Sequence, residues 1–257
     1  MSPKRSHPRD PLVIGQVAAR LALEWTFRPL LRPSLDEFRD AARIQDTVAH
    51  SLLDEPGGEA TPITLRYRAE FDELVGSMAG ALAARYPPHW RIESEPGFLL
   101  YGLVRSRSPS LVVETGVADG FSSRLILEAL RRNGSGRLVS VDRREDVGLL
   151  VPPSLRPSWE LTILGRGRRY SDLRALFSST GPVDMFLHDS AHTYRHQLRE
   201  YRAAWPNLRP AGLLMSDDAD ASFAFLDFAR SVGCRPDVLV SRTRVFGILP
   251  RAGPAAT

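Results

Sequence analysis

The stretch from Val112 to Ser123 carries the clearest chemical signal in the chain, and reads Val-Val-Glu-Thr-Gly-Val-Ala-Asp-Gly-Phe-Ser-Ser. A β-branched run ends at Glu114, and Gly116 and Gly120 follow before an apolar pattern typical of a helix. Glycines in such a turn let the backbone approach a ligand closely, and the free N–H groups of the helix start face the same crevice. An open α/β sheet builds nucleotide-type pockets in this way, at the carboxyl end of a strand.

The spacing argues against a dinucleotide site. The NAD fingerprint is G-x-G-x-x-G, and Glu114 stands where its first glycine would be. A carboxylate there would repel a pyrophosphate and suits a ligand that carries a positive charge. The alternative is a glycine turn that only packs a helix onto a sheet.

Asp142 closes the next predicted strand, 22 residues after Gly120. An acidic residue at about this spacing can accept hydrogen bonds from both hydroxyls of a ribose. The alternative is a helix cap or an ion pair with Arg143 or Arg144.

Three carboxylates follow two later strands. Asp189 ends one apolar run, and Asp217 and Asp218 end the next, so all three are predicted at one rim of the sheet. Carboxylates that meet there must be neutralised or bind a cation. Oxygen ligands favour a hard ion such as Mg²⁺.

His192 lies three residues beyond Asp189 and is a candidate general base, because histidine titrates near neutrality. It could instead bond locally at a helix start, and Asp189 could serve as the base. His192 and His196 also have the i,i+4 spacing of a zinc pair. Thr193 stands where the glutamate of H-E-x-x-H would be, which makes zinc the weaker interpretation.

Alternating strand and helix patterns position these residues. Strands are predicted at 111–115, 137–141, 160–164, 183–188, 211–216, 236–241 and 244–249, and helices at 121–132, 171–178, 193–204 and 220–231. Alternation implies a parallel sheet with right-handed crossovers, and the short connection before the last strand makes that strand antiparallel. We therefore predict an α/β, Rossmann-like sheet of seven strands, mostly parallel, with an antiparallel last strand.

An N-terminal helical extension, residues 1–95, is predicted to precede a domain at 96–257 that begins with a helix at 96–106. Within the extension, residues 1–11 are predicted to be disordered and helices are predicted at 12–28, 35–52 and 67–85. The apolar stripe from Phe38 to Leu52 predicts that these helices cap the domain or pair two subunits as a homodimer.

Composition narrows the function classes. The 257 residues are 43% hydrophobic with a net charge of +4, and no basic stripe interleaved with aromatics indicates nucleic-acid binding. The one cysteine, Cys234, excludes an intrachain disulfide and is expected of a cytoplasmic protein. No run of about 18 apolar residues lacks charges, so no integral membrane segment is predicted. The short apolar run after Pro11 is broken by Gln16, which argues against a signal peptide.

The motif Glu114-x-Gly116-x-x-x-Gly120 resembles the first motif of the class I methyltransferases, which use S-adenosylmethionine (SAM), and the resemblance covers about residues 96–250. It implies that SAM is held by Glu114, Gly116, Gly120, Ser122, Asp142 and Asp189. Ser122 would hold the methionine carboxylate, or simply cap the helix. Ser171 or Asp172 would border the adenine, after a loop, Gly165-Arg-Gly-Arg-Arg, that is more basic than the family pattern.

Asp189, Asp217 and Asp218 match the cation ligands of metal-dependent O-methyltransferases of the catechol and antibiotic-sugar types, and His192 matches a basic residue that takes the substrate's proton. The resemblance implies a SAM-dependent O-methyltransferase for a small hydroxylated acceptor, assisted by Mg²⁺ or another divalent cation. A metal-independent N-methyltransferase and a catalytically silent accessory protein are the alternatives. The arginine- and alanine-rich composition suggests a GC-rich bacterial source, where such enzymes tailor natural products.

Overall fold

The computed structural model describes residues 28–45, 63–79, 86–164 and 170–252. Residues 1–11, nearly all of the predicted helix 12–28, and the basic loop at 165–169 lie outside the described residues, as do 46–62 and 80–85. The side chain of Ser171, a candidate adenine contact, also lies outside the described part.

One sheet of eight strands forms the centre of the fold, in the order β1-β7-β8-β6-β5-β2-β3-β4. The strands are β1 (Arg43–Gln45), β2 (Leu111–Thr115), β3 (Arg137–Asp142), β4 (Trp159–Ile163), β5 (Val183–His188), β6 (Leu208–Ser216), β7 (Asp237–Val240) and β8 (Val245–Pro250). Strand β8 runs antiparallel to β6 and β7, and the other neighbours are parallel. This confirms the predicted Rossmann-like sheet and its reversed last strand.

The eighth strand comes from residues that were predicted to be helical. The helix expected at 35–52 ends at Ala41, and β1 then pairs in parallel with β7. Arg43 forms two hydrogen bonds with Asp237 of β7, at 2.6 and 2.7 Å. Backbone pairing and this ion pair thus override the helical spacing of the apolar residues.

Helices cover both faces of the sheet. They are α1 (Leu35–Ala41), α2 (Ile63–Met78), α3 (Ser94–Arg107), α4 (Phe121–Asn133), α5 (Tyr170–Thr180), α6 (Tyr194–Ala204) and α7 (Ala224–Ser231). Helices α2, α3 and α4 share one buried apolar cluster with the sheet, and α1, α5, α6 and α7 share the other. Within the described residues, no helix has the length and apolar content needed to cross a membrane.

Strand β2 lies between β3 and β5, where the chain switches direction across the sheet. All five residues of β2 are buried. A crevice opens at such a switch point, outside the carboxyl ends of the strands. The candidate residues lie at the carboxyl ends of strands or in the segments that follow them at this edge.

Candidate functional site

A cavity of about 880 Å³ lies at the carboxyl ends of β2, β3 and β5. Its lining brings together the sequence-predicted residues Gly116, Asp142, Asp189, His192 and Asp218. Glu114, Gly120, Ser122 and Asp217 lie behind this lining and do not form part of it.

Gly116 forms the floor of the cavity where β2 meets the end of β5. Its φ is +86°, and a Cβ atom there would lie 1.9 Å from the carbonyl oxygen of Asp189. Its N–H donates to the carbonyl of Val141, at 2.8 Å. Only glycine therefore fits this close approach of strand ends.

Glu114 is completely buried beneath the turn. Its carboxylate accepts hydrogen bonds from Ser140 at 2.6 Å, from Ser122 at 3.1 Å, and from Ser123. Burial raises the pKa of Glu114 to about 7. Glu114 and Ser122 thus support the turn from inside the fold, and their direct contact with a ligand stays a prediction.

Gly120 packs against the loop that follows β3. Its φ is +88°, and a Cβ atom would lie 2.8 Å from the Cα of Gly148. The loop is held there because Gly148 N–H donates to Ala118 O, at 3.0 Å. This contact explains the second glycine structurally, and a ligand role for Gly120 remains a prediction.

Asp142 presents its carboxylate at the side of the cavity. Three backbone N–H groups donate to it, from Val117 at 2.8 Å, Arg143 at 2.6 Å and Arg144 at 2.9 Å. The guanidinium of Arg144 pairs with Asp146 instead of Asp142. The carboxylate is therefore fixed by the backbone, and Oδ2, with one bond, retains capacity to accept from a ligand.

Two of the three remaining aspartates contact the guanidinium of Arg244. Arg244 Nη1 lies 3.1 Å from Asp217 Oδ2, and Arg244 Nε lies 3.3 Å from Asp218 Oδ1. Burial and the neighbouring carboxylates raise the pKa of Asp189 well above its usual range, and that of Asp217 to about 7. Burial opposes ionisation of Asp218, but its hydrogen bond to His192 and its electrostatic interactions with His192 and Arg244 together outweigh this and lower its pKa.

His192 is oriented by Asp218. Its Nδ1 lies 2.9 Å from Asp218 Oδ2, and its Nε2 is 3.7 Å from Asp189 Oδ1. The Nε2 atom is buried without a hydrogen-bond partner. A carboxylate at Nδ1 fixes the proton there and leaves Nε2 with the lone pair, which is the arrangement of a general base.

Glu200 is a further ionised group at the cavity, and it was not identified from the sequence as a candidate site residue. Glu200 of α6 is buried and bonds to His188 at 2.6 Å, His196 at 2.8 Å, Ser190 at 3.0 Å, and Thr115. Burial opposes its ionisation, but the two histidines lower its pKa. The i,i+4 spacing of His196 and Glu200 on one helix face was the available signal.

These contacts separate the two histidines of the zinc interpretation. His192 bonds to Asp218, whereas His196 bonds to Glu200 and to Ser190 at 3.0 Å. Burial lowers the pKa of His188, which favours its neutral form beside Glu200. The histidine pair therefore does not form a shared zinc site.

Residues 113–219 match the family model described as "Methyltransferase domain". This segment is similar to methyltransferase domains. No curated protein sequence matches the chain.

Several solved structures share the fold of this chain. An O-methyltransferase from Bacillus cereus, in complex with SAH, is 15% identical with a TM-score of 0.52, covering 71% of this chain and 90% of that one. The O-methyltransferase TomG from Streptomyces achromogenes, in complex with SAM, is 18% identical with a TM-score of 0.51, covering 71% and 96%. SAH-bound PaMTH1 from Podospora anserina is 14% identical with a TM-score of 0.53, covering 76% and 99%. The described chain therefore has the class I methyltransferase fold.

The size of the cavity and two of its lining residues fit SAM. The cavity has the size of a small-molecule site. Gly116 keeps its floor free of a side chain, and Asp142 holds a carboxylate towards it. An oxygen acceptor and an open backbone turn on neighbouring strand ends are what a nucleoside ligand needs.

The carboxylate oxygens of Asp189, Asp217 and Asp218 are ligands of the kind that a divalent cation prefers. Asp217 Oδ1 is buried without a hydrogen-bond partner, all candidate donors are oxygens, and three carboxylates outnumber the charge of Arg244. Among the described residues, however, no three His, Cys, Asp or Glu side chains already group as metal ligands. The carboxylates would have to turn towards a common point to hold the ion.

Proposed function

We propose that this chain is a SAM-dependent O-methyltransferase that acts on a small hydroxylated acceptor, with the help of a divalent cation. The observation that carries the proposal is the pairing of His192 with Asp218 in the same cavity as Gly116 and Asp142. Methyl transfer to a hydroxyl needs a base near the cofactor, because the oxygen loses its proton as it attacks.

Cofactor binding is assigned to the turn after β2 and the end of β3. Asp142 would accept hydrogen bonds from the ribose hydroxyls of SAM, and Gly116 would allow the backbone to approach the ligand. Glu114, Gly120 and Ser122 shape the turn, with Ser122 near the methionine carboxylate, and Asp189 borders the cofactor from the end of β5. When bound, SAM supplies an activated methyl group on its sulfonium.

Proton removal is assigned to His192. Asp218 accepts the hydrogen bond from Nδ1–H and stabilises the imidazolium that forms when Nε2 takes the acceptor's proton. Asp189 Oδ1 lies 3.7 Å from Nε2, so the ionised form of Asp189 would add a second negative charge beside that imidazolium. The cavity excludes part of the bulk water, which strengthens both interactions.

Cation binding is assigned to Asp189, Asp217 and Asp218. A divalent ion held by these carboxylates would lower the pKa of the acceptor hydroxyl. It would also favour the ionised forms of Asp189 and Asp217, whose pKa values are raised by burial and by the neighbouring carboxylates.

The test combines cofactor binding with a mass-spectrometric screen of hydroxylated and amine acceptors. We expect calorimetry to show SAH binding, and EDTA to abolish methyl transfer until Mg²⁺ or Mn²⁺ is restored. Asp217→Asn should lower kcat while SAH affinity is kept, since the carboxylate does not line the cofactor cavity. His192→Ala should lower kcat by about 10²–10⁴-fold at unchanged SAH affinity.

Other outcomes would redirect the assignment. Full activity in EDTA with amine acceptors would support the metal-independent N-methyltransferase. Absence of SAH and SAM binding in the wild type would support the silent accessory protein. A bacterial source, a natural-product acceptor, a cytoplasmic location and a homodimer through the N-terminal helices remain predictions from the sequence.

A further inference from the structure

Arg244 joins two parts of the site that are far apart in the sequence. It lies in the turn between β7 and β8, and its side chain is 15% exposed. We propose that Arg244 is a positioning residue, which holds the His192–Asp218 pair and the segment 86–91 in one arrangement over the cavity. The proposal deepens the proposed function and rests on it. Here the segment 86–91 is called the strap.

The guanidinium of Arg244 makes three separate contacts. Its Nη1 donates to Asp217 Oδ2, its Nε forms an ion pair with Asp218 Oδ1 at 3.3 Å, and its Nη2 donates to the carbonyl of His89 in the strap. A planar group with five donors in fixed directions can make these bonds together, whereas an ammonium group cannot.

Asp218 is held between Arg244 and His192. One carboxylate oxygen faces Arg244 and the other faces His192. Its backbone has φ +47°, a conformation that non-glycine residues adopt rarely. These bonds offset the cost of that conformation. Loss of Arg244 therefore frees the carboxylate that fixes the tautomer of His192.

The strap forms part of the cavity wall, since Tyr86, His89 and Trp90 line the cavity. Its first residue, Tyr86, is buried and donates to the carbonyl of Asp146 at 3.1 Å. Arg91 forms a largely buried ion pair with Asp119 at the start of α4. The hydrogen bond from Arg244 therefore holds the middle of the strap, and Tyr86 and Arg91 fix its two ends.

The turn that carries Arg244 makes a further contact just beyond the strap, where the Thr243 hydroxyl donates to Glu93. Trp90 is 49% exposed, so the strap presents an apolar ring to the cavity entrance. Movement at Arg244 would therefore change the base and the entrance together.

The experiment compares Arg244→Ala and Arg244→Lys with Arg242→Ala, an exposed arginine of the same turn. Two readouts need no activity: imidazole ¹⁵N shifts of His192 at fixed pH, assigned with a His192→Gln sample, and hydrogen exchange of the strap. In the wild type we expect the Nδ1–H form and a protected strap. Both variants of Arg244 should lose the Nδ1–H signal and exchange faster at the strap, and Arg242→Ala should match the wild type.

Kinetics provide a third readout. Arg244→Ala should lower kcat about 10²-fold, as expected when a catalytic group is misplaced by about 1 Å. Free guanidinium should partly restore it, and SAH affinity should stay within about threefold of the wild type, because the cofactor side is untouched. Arg244→Lys keeps the charge beside buried Asp217, so it provides the measurement if the alanine variant does not fold.

Wild-type tautomer signals and wild-type exchange in Arg244→Lys would overturn the proposal. Failure of the proposed function would be seen separately, as absence of methyl transfer by the wild type. The tautomer and exchange measurements then still decide whether Arg244 positions His192 and the strap.

Discussion

Glu114 lies at the end of β2 with its carboxylate bonded to three serine hydroxyls, and burial raises its pKa to about 7. The ordinary value, 4.5, applies to the unfolded chain. The folded state therefore binds the proton more tightly, and this contribution to stability is complete below about pH 4.5. It is lost as the pH rises through about 7.

Glu114→Gln removes this titration. Denaturant unfolding at about pH 5 and about pH 7.5 should show that the wild type loses stability between these values and the variant loses less. The difference should be at most roughly 3 kcal/mol, which corresponds to a pKa shift of about 2.5 units. Parallel pH profiles of the two proteins would contradict a raised pKa.

Site residues at strand ends could be predicted, whereas those brought by turns and helices could not. Asp142 and Asp189 follow strands, and parallel strands place their carboxyl ends at one edge. Arg244 reaches the site from a hairpin turn, and Glu200 reaches it from a helix. Their destinations depend on packing across the sheet, which residue spacing does not encode.

The elements from 111 onward follow the predicted order, because their apolar periods are long and are bounded by glycines and polar turns. Strand β5 matches the predicted 183–188, and helix α4 ends one residue later than predicted. Before residue 95 the agreement is weaker. Residues 43–45 have a helical apolar pattern but pair with β7, because tertiary contacts decide short segments.

The strength of β1 can be tested through its ion pair. Asp237 is almost fully buried, so Arg43→Gln should remove two charge-assisted hydrogen bonds from a buried carboxylate and lower the free energy of unfolding by about 1–2 kcal/mol, a discounted value because Arg43 is half exposed. Arg39→Gln breaks an exposed pair with Asp36 on the same segment and should change stability by less than about 0.5 kcal/mol. Equal effects of the two substitutions in denaturant unfolding would show that β1 does not depend on the pair.

At the scale of the whole molecule, the predicted boundary at residue 95 crosses a continuous core. Phe71 of α2 is 1% exposed, and its ring lies 5.2 Å from that of Phe98 in α3. Arg105 of α3 bonds to Glu70 of α2 at 2.9 Å. Helix α2, although it precedes the boundary, therefore packs directly on the sheet domain and shares its apolar cluster.

This shared core predicts one unfolding transition. Phe71→Ala removes a buried ring and should lower the free energy of unfolding by about 3–5 kcal/mol. Because α2 and the sheet share the cluster, hydrogen exchange should show α2 and the central strands losing protection together. Leu31→Ala changes a residue that is 45% exposed and should leave the transition unchanged. If α2 lost protection while the strands kept theirs, the extension would be an independent unit. That result would support the domain boundary predicted at residue 95.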